Sequence, residues 1–179
     1  MRLRFLTSAL LLLMLASTAT AQPSTLQVFR SVQRQVLTYP HFTIFDSVHT
    51  KIENGEVTLF GKVTMPFKRD ELEKRVSKVR GVTKVTNQIE VLPASKSDDD
   101  LRRGIANAIY GNSAFVQYAT QVNPPIHIIV ERGRVTLEGV VANEVDRTMA
   151  YSIASSFQAF AVKNDLKTEA EVKAELERL

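Results

Sequence analysis

The chain has 179 residues and a mass of 20.0 kDa, with 23 Lys+Arg against 19 Asp+Glu and a formal charge of +4. Hydrophobic residues make up 44%, with 7 Gly and 6 Pro, a globular balance that excludes a disordered, collagen-like or multi-spanning membrane chain. Cysteine is absent, which excludes disulfides, thiol catalysis, thiolate metal sites and a lipidated N-terminal cysteine, and His41, His49 and His127 alone offer little for a metal centre.

In chain order, Arg2 and Arg4 precede an apolar run from Phe5 to Ala16, too short to span a bilayer comfortably. Ala19-Thr20-Ala21 is a small-residue cleavage pattern, so residues 1–21 read as a signal peptide removed before Gln22. Its style is bacterial and points to a periplasm. The remaining 158 residues carry 21 basic and 19 acidic side chains, a length for one medium domain or two small ones.

Leu26, Phe29, Val32, Val36 and Leu37 recur at helical spacing and stop before Pro40. Residues 48–63 then read as a hairpin. Asn54-Gly55 is the strongest short signal for a type I′ turn, because both central residues need positive φ. Val57, Leu59, Gly61 and Val63 share one buried face, and Gly61 marks close approach of another backbone, expected to be a crossing helix. Thr64 is the expected cap of a helix over 66–80, with Pro66 early and Leu72, Val76 and Val79 facing the core. A strand over 82–92 places Val85, Asn87, Ile89 and Val91 on one face. Residues 94–97 follow as a linker.

The second half runs through the same order. Asp98-Asp99-Asp100 suits a helix N-terminus, Leu101, Ile105, Ile109 and Tyr110 form its apolar stripe, and Gly111-Asn112 ends it. A longer loop carries Phe115, Val116 and Tyr118, then Asn123-Pro124-Pro125. Residues 126–141 form a second hairpin around Arg132-Gly133, where Arg replaces the better Asn. Asn143 caps a helix over 144–157, with Asp146 three residues on and Ala150, Ile153, Ala154 and Phe157 inward. A strand over 160–168 and a charged, helical tail over 169–179 complete the chain.

A shift of 78 aligns the two halves: His49 with His127, Gly55 with Gly133, Val57 with Val135, Thr58 with Thr136, Leu59 with Leu137, Gly61 with Gly139 and Val63 with Val141. The V-x-N-x-hydrophobic pattern also recurs, at Val85-Asn87-Ile89 and Val162-Asn164-Leu166. Each half reads α-β-β-α-β. This combination, Glu56–Val63 with Gly81-Val82 to Ile89, then Arg134–Val141 with Phe160 to Leu166, resembles a tandem pair of BON domains, the family named for bacterial osmotically inducible and nodulation proteins. The likeness covers about 25–92 and 98–168, within domains expected over 22–93 and 98–168. The second copy departs from the pattern where Gln158-Ala159 replace Gly81-Val82. The resemblance implies an α+β fold of two consecutive modules, each a three-stranded mixed sheet with two helices on one face. It also implies an envelope or periplasmic setting, osmotic stress and envelope integrity, binding to phospholipid surfaces, and no catalytic residues.

Three features bear on a surface role. Residues 22–93 hold 11 basic and 7 acidic side chains, whereas 94–179 hold 10 and 12. Helix 66–80 carries Lys68, Arg69, Lys74, Arg75, Lys78 and Arg80. These fit either anionic lipid or a solvated face laced by Asp70–Lys74 and Glu71–Arg75 pairs. Strand parity turns Phe60, Ile129 and Val140 outward, toward a partner or toward the other repeat. Phe115, Val116 and Tyr118 form either an interfacial anchor or the end of the core. No hydrolase, metalloprotease or phosphate-loop motif is present, and no cofactor or metal is implied. Export, modest charge and the lack of an aromatic platform argue against nucleic acid. The expected partner is an anionic phospholipid surface; the alternative is an envelope protein bound by an adaptor or chaperone-like factor. The two differ in salt dependence.

Overall fold

A computed structural model describes residues 23–178; the signal-peptide reading of 1–21 lies outside the described residues. Helix α1 (Thr25–Leu37) starts at a capping box in which Ser24 and Gln27 satisfy each other's backbone N–H. It buries Val28, Val32 and Val36. Leu26 and Leu37 are about half exposed, contrary to the stripe expected of them. The slim β-branched face packs on the sheet, and Leu26, Phe29 and Leu37 form a second stripe to its side.

Strands β1 (Ser47–Glu53) and β2 (Glu56–Val63) pair antiparallel around Asn54-Gly55, at φ +50° and +82°, as a type I′ turn requires. Gly61 sits at φ +121°, and a Cβ there would lie 2.2 Å from the Ser47 carbonyl oxygen. The close neighbour is therefore the start of β1 rather than a crossing helix. Helix α2 (Pro66–Val76) is shorter than expected and is not capped by Thr64: Met65 is the N-cap residue and supplies no side-chain hydrogen bond. Strand β3 (Lys84–Val91) returns parallel to β2. The core is Val28, Val32, Val36, Val57, Leu59, Val63, Leu72, Val76, Val79 and Ile89.

The second module repeats this order. Helix α3 (Lys96–Tyr110) is followed by a 3-10 turn, the short α4 (Val116–Ala119), β4 (Ile126–Glu131), β5 (Arg134–Val141), α5 (Glu144–Ser155) and β6 (Ala161–Thr168). Its sheet order is β4-β5-β6, antiparallel then parallel, matching β1-β2-β3. The Arg132-Gly133 turn has φ values of +51° and +73°. Asn143 caps α5 by accepting from the Asp146 N–H. In both modules the signature asparagine ties the last strand to the second helix: Asn87 donates to the Arg69 carbonyl and Asn164 to the Arg147 carbonyl, at 3.0 and 3.1 Å. Their side-chain oxygens accept from Ile89 and Leu166. Helix α6 (Glu169–Leu176) has a Thr168–Glu171 capping box and is pinned by Arg147–Glu171 and Lys167–Glu175 ion pairs. None of the described helices is long and apolar enough to cross a membrane.

Candidate functional site

The basic residues of the first module divide into two groups. Lys68 is 5% exposed, a correction to its expected place on the surface. It lies four and eight residues before Leu72 and Val76, on the stripe that α2 turns to the core. Its ammonium donates to Asp46 and Thr64, each at 2.7 Å. Asp46 also accepts from the backbone and hydroxyl of Thr43 and of Thr64. Burial would raise the Asp46 carboxyl, but Lys68 and these donors outweigh it and hold it below the usual carboxylate range. Arg75 donates to the Gln35 carbonyl and the Thr38 hydroxyl and lies over the Tyr39 ring. It joins α2 to the end of α1.

The second group faces water. Arg30, Arg34, Lys74 and Lys78 are exposed and form no side-chain ion pair among the described residues. Helix α1 contains no acidic residue. The expected Asp70–Lys74 and Glu71–Arg75 pairs do not form: Asp70 pairs with Arg69, and Glu71 accepts from the Tyr39 hydroxyl. Arg80 is exposed beyond the end of α2. Phe67, 46% exposed, lies two turns before Lys74 on the same side of α2, beside Met65. Helices α1 and α2 thus carry exposed cations with no ion pair among the described residues, and the start of α2 carries exposed Met65 and Phe67.

The second module presents no such layer. Lys96 and Arg103 pair with Asp100, Arg102 is buried and pairs with Asp99, and Arg147 pairs with Glu144 and Glu171. Phe115 is 0% and Tyr118 4% exposed, which settles the open choice for these two on the core side; Val116 stays exposed. The Tyr118 hydroxyl donates to the buried Asp146 and accepts the Ala142 N–H.

Of the outward strand residues, Phe60 is exposed and lies 5.4 Å from the His49 ring, and Val140 is half-buried. Ile129, expected on an open face, is 4% exposed. Gly61 and Lys62 of the first module border it, and Lys62 pairs with Glu131 beside it. The repeats cover this face themselves. His49 and Ser47 both bond Glu138, at 2.8 and 2.5 Å. His49 chiefly, together with Ser47, holds the Glu138 carboxyl below its ordinary range against the opposing effect of burial. Burial lowers the pKa of His127, whose Nδ1 has no partner. Among the described residues no cluster of three or more His, Asp or Glu is arranged to hold a metal.

Comparison with known proteins agrees with this layout. The family model described as BON domain matches residues 28–93 and again 97–170. No curated protein matches the chain. Two solved structures show a weak likeness to the chain. One is the C-terminal domain of CdsD, the structural protein of the Type III secretion system of Chlamydia trachomatis. It has 16% identity and a TM-score of 0.34 over 87% of this chain and 71% of that one. The second is another structure of CdsD, with 14% identity and a TM-score of 0.29 over 84% and 97%.

Proposed function

This chain belongs to the BON-domain family, with one domain in each half, and from that premise we propose that it attaches peripherally to anionic phospholipid surfaces through the α1–α2 layer of its first module. The family is generally associated with phospholipid and membrane surfaces, is typically exported or periplasmic, and is non-catalytic. The observation that carries the reading is the set of exposed cations Arg30, Arg34, Lys74 and Lys78 on α1 and α2, with no ion pair among the described residues, together with exposed Phe67 and Met65 at the start of α2. A basic group near an anionic membrane contributes roughly 1 kcal/mol, and the apolar side chains add burial at the headgroup boundary. Lys74, Lys78 and Arg80 stay in this surface from the sequence-predicted set, and Arg30 and Arg34 join it. Lys68, Phe115 and Tyr118 leave it because they are buried. On this reading the attachment supports envelope integrity under osmotic stress.

Co-sedimentation with vesicles tests it. Pelleting is expected with anionic but not neutral vesicles, fading as salt screens the charges. Reversing Arg34, Lys74 and Lys78 to Glu lowers partitioning on the order of a hundredfold or more and leaves the melting temperature unchanged. Reversing Lys96 and Arg103, already neutralised by Asp100, leaves partitioning nearly intact. Absence of pelleting with anionic vesicles at low salt removes this reading.

A further inference from the structure

The two modules meet through the loop of residues 42–46, which leads from α1 into β1. The Ile44 carbonyl accepts the N–H of Ile128 at 2.7 Å, on the edge of β4 that is not paired with β5. Ile44 and Phe45 pack against the core of the second module, and the Phe42 ring lies 5.5 Å from that of His127. The second module thus offers a dock beside its first strand, and a β-branched loop residue from the first module fills it.

The repeat supplies each half of this contact a second time. Thr50 in β1 stands where Ile128 stands in β4, and His49 where His127 stands. The backbone of Thr50 makes no hydrogen bond outside its own sheet among the described residues. Beside it, where the two modules meet, lies a cleft of about 550 Å³, lined on the first module's side by Phe29, Leu37, Val48 and Phe60 and closed on its polar side by Glu138 and Lys167 of the second module. Leu37 is 46% exposed there. In the second module, Val122 stands where Ile44 stands in the first and is 98% exposed. Val122 has the β-branched shape of the docked residue, and its polar neighbours Gln121 and Asn123 suit the polar wall.

We propose that this empty dock receives a second copy of the chain, the Val122 loop of one molecule entering the α1–β1 cleft of the next. The loop and the cleft are the two unused halves of a contact that the chain already makes between its own modules. Such a contact is heterologous, so it propagates head to tail rather than closing a two-fold dimer. This inference does not depend on lipid binding.

Sedimentation of the purified full chain over a wide concentration range tests it. Association that rises with concentration is expected, in steps of one added molecule. Val122→Asp and Leu37→Asp, both at exposed positions, each weaken it on the order of tenfold or more, from the burial of one aliphatic side chain, without moving the melting temperature. Mixed in equal amounts, the two variants give a dimer and nothing larger, because one supplies the only intact loop and the other the only intact cleft. A protein that stays monomeric at the highest soluble concentration overturns the proposal. So does association that survives both substitutions, or a mixture of the two variants that remains monomeric.

Discussion

Positions 68 and 146 are equivalent in the two modules, one turn into the second helix, yet they carry opposite charges. In the first module Lys68 points inward and meets Asp46, which also holds the Thr64 N–H at the start of α2, at 2.8 Å. In the second, Asp146 points inward and meets the Tyr118 hydroxyl, which holds the equivalent Ala142 N–H, also at 2.8 Å. Both arrangements solve one problem, a backbone donor at a helix start that has no partner within the helix. One uses a buried ion pair supplied by the loop that clasps the other module. The other uses a neutral phenol supplied by α4. A fold repeated in sequence can thus keep a backbone requirement and exchange the chemistry that meets it. The ion-pair solution is the more fragile, because Asp46 carries the Lys68 pair and the bonds from Thr43 and Thr64 at once, whereas Tyr118 carries two hydrogen bonds.

Truncation tests that asymmetry most strongly. Asp46→Ala leaves Lys68 buried without a counterion and orphans the Thr64 N–H, and should cost about 3–5 kcal/mol in denaturant unfolding. Adding Lys68→Met should recover much of that loss, since an apolar replacement removes the stranded charge. Tyr118→Phe removes two hydrogen bonds but strands a carboxylate that still has Asn143 nearby, so the expected cost is smaller, about 1–3 kcal/mol. If Tyr118→Phe costs as much as Asp46→Ala, the contrast between the modules is wrong.

Much of this was legible in the residues. The shift of 78, the two Gly-containing turns and the alternation of Val57, Leu59 and Val63 gave the modules, the hairpins and the buried sheet face. The inward side of α2 was legible in Leu72 and Val76, and extending that spacing four residues upstream lands on Lys68. The same step from Ala150 and Ala154 lands on Asp146. Their burial was therefore signalled by period, but a charge at a helix start reads first as solvated. Their partners were not legible: Asp46 and Tyr118 sit at positions that the shift of 78 does not pair, in loops of different length and sequence. Ile129 misled for another reason. Strand parity gives the face correctly but cannot say that the first module covers it.

The clasp between the modules gives a smaller effect, read through pH. Burial lowers the pKa of His127 at this junction, which Asp46, Glu138 and His49 also face. A base with a lowered folded pKa contributes stability that is present above its ordinary value, about 6.5, and is lost as pH falls below it. Glu138, whose carboxyl is held low by His49 and Ser47, contributes stability that is lost at more acid pH, below the ordinary carboxylate range. Stability should therefore decline on acidification in two stages, His127 first. The first stage has a slope of at most about 1.4 kcal/mol per pH unit. Thermal melts between neutral and mildly acid pH would show it, and His127→Gln should flatten that stage alone. A first stage that persists in His127→Gln assigns the proton elsewhere.

The finest difference lies at the hairpin tips. Asn54 and Arg132 both sit near φ +50°, which Asn tolerates and Arg resists. The second module holds Arg132 there by an added device: the buried Asp98 carboxylate accepts the N–H groups of Arg132 and Gly133, both at 2.8 Å. The first module, with Asn54-Gly55, shows no equivalent carboxylate among the described residues. Arg132→Asn should therefore raise stability by only a few tenths of a kcal/mol, on the order of 0.5, because Asp98 already fixes the turn. Asp98→Ala should be costly beside Arg132 and less so beside Asn at that position. A double-mutant cycle measures the difference. A coupling near zero would mean that Asp98 serves the start of α3 alone and that the turn needs no help with its arginine.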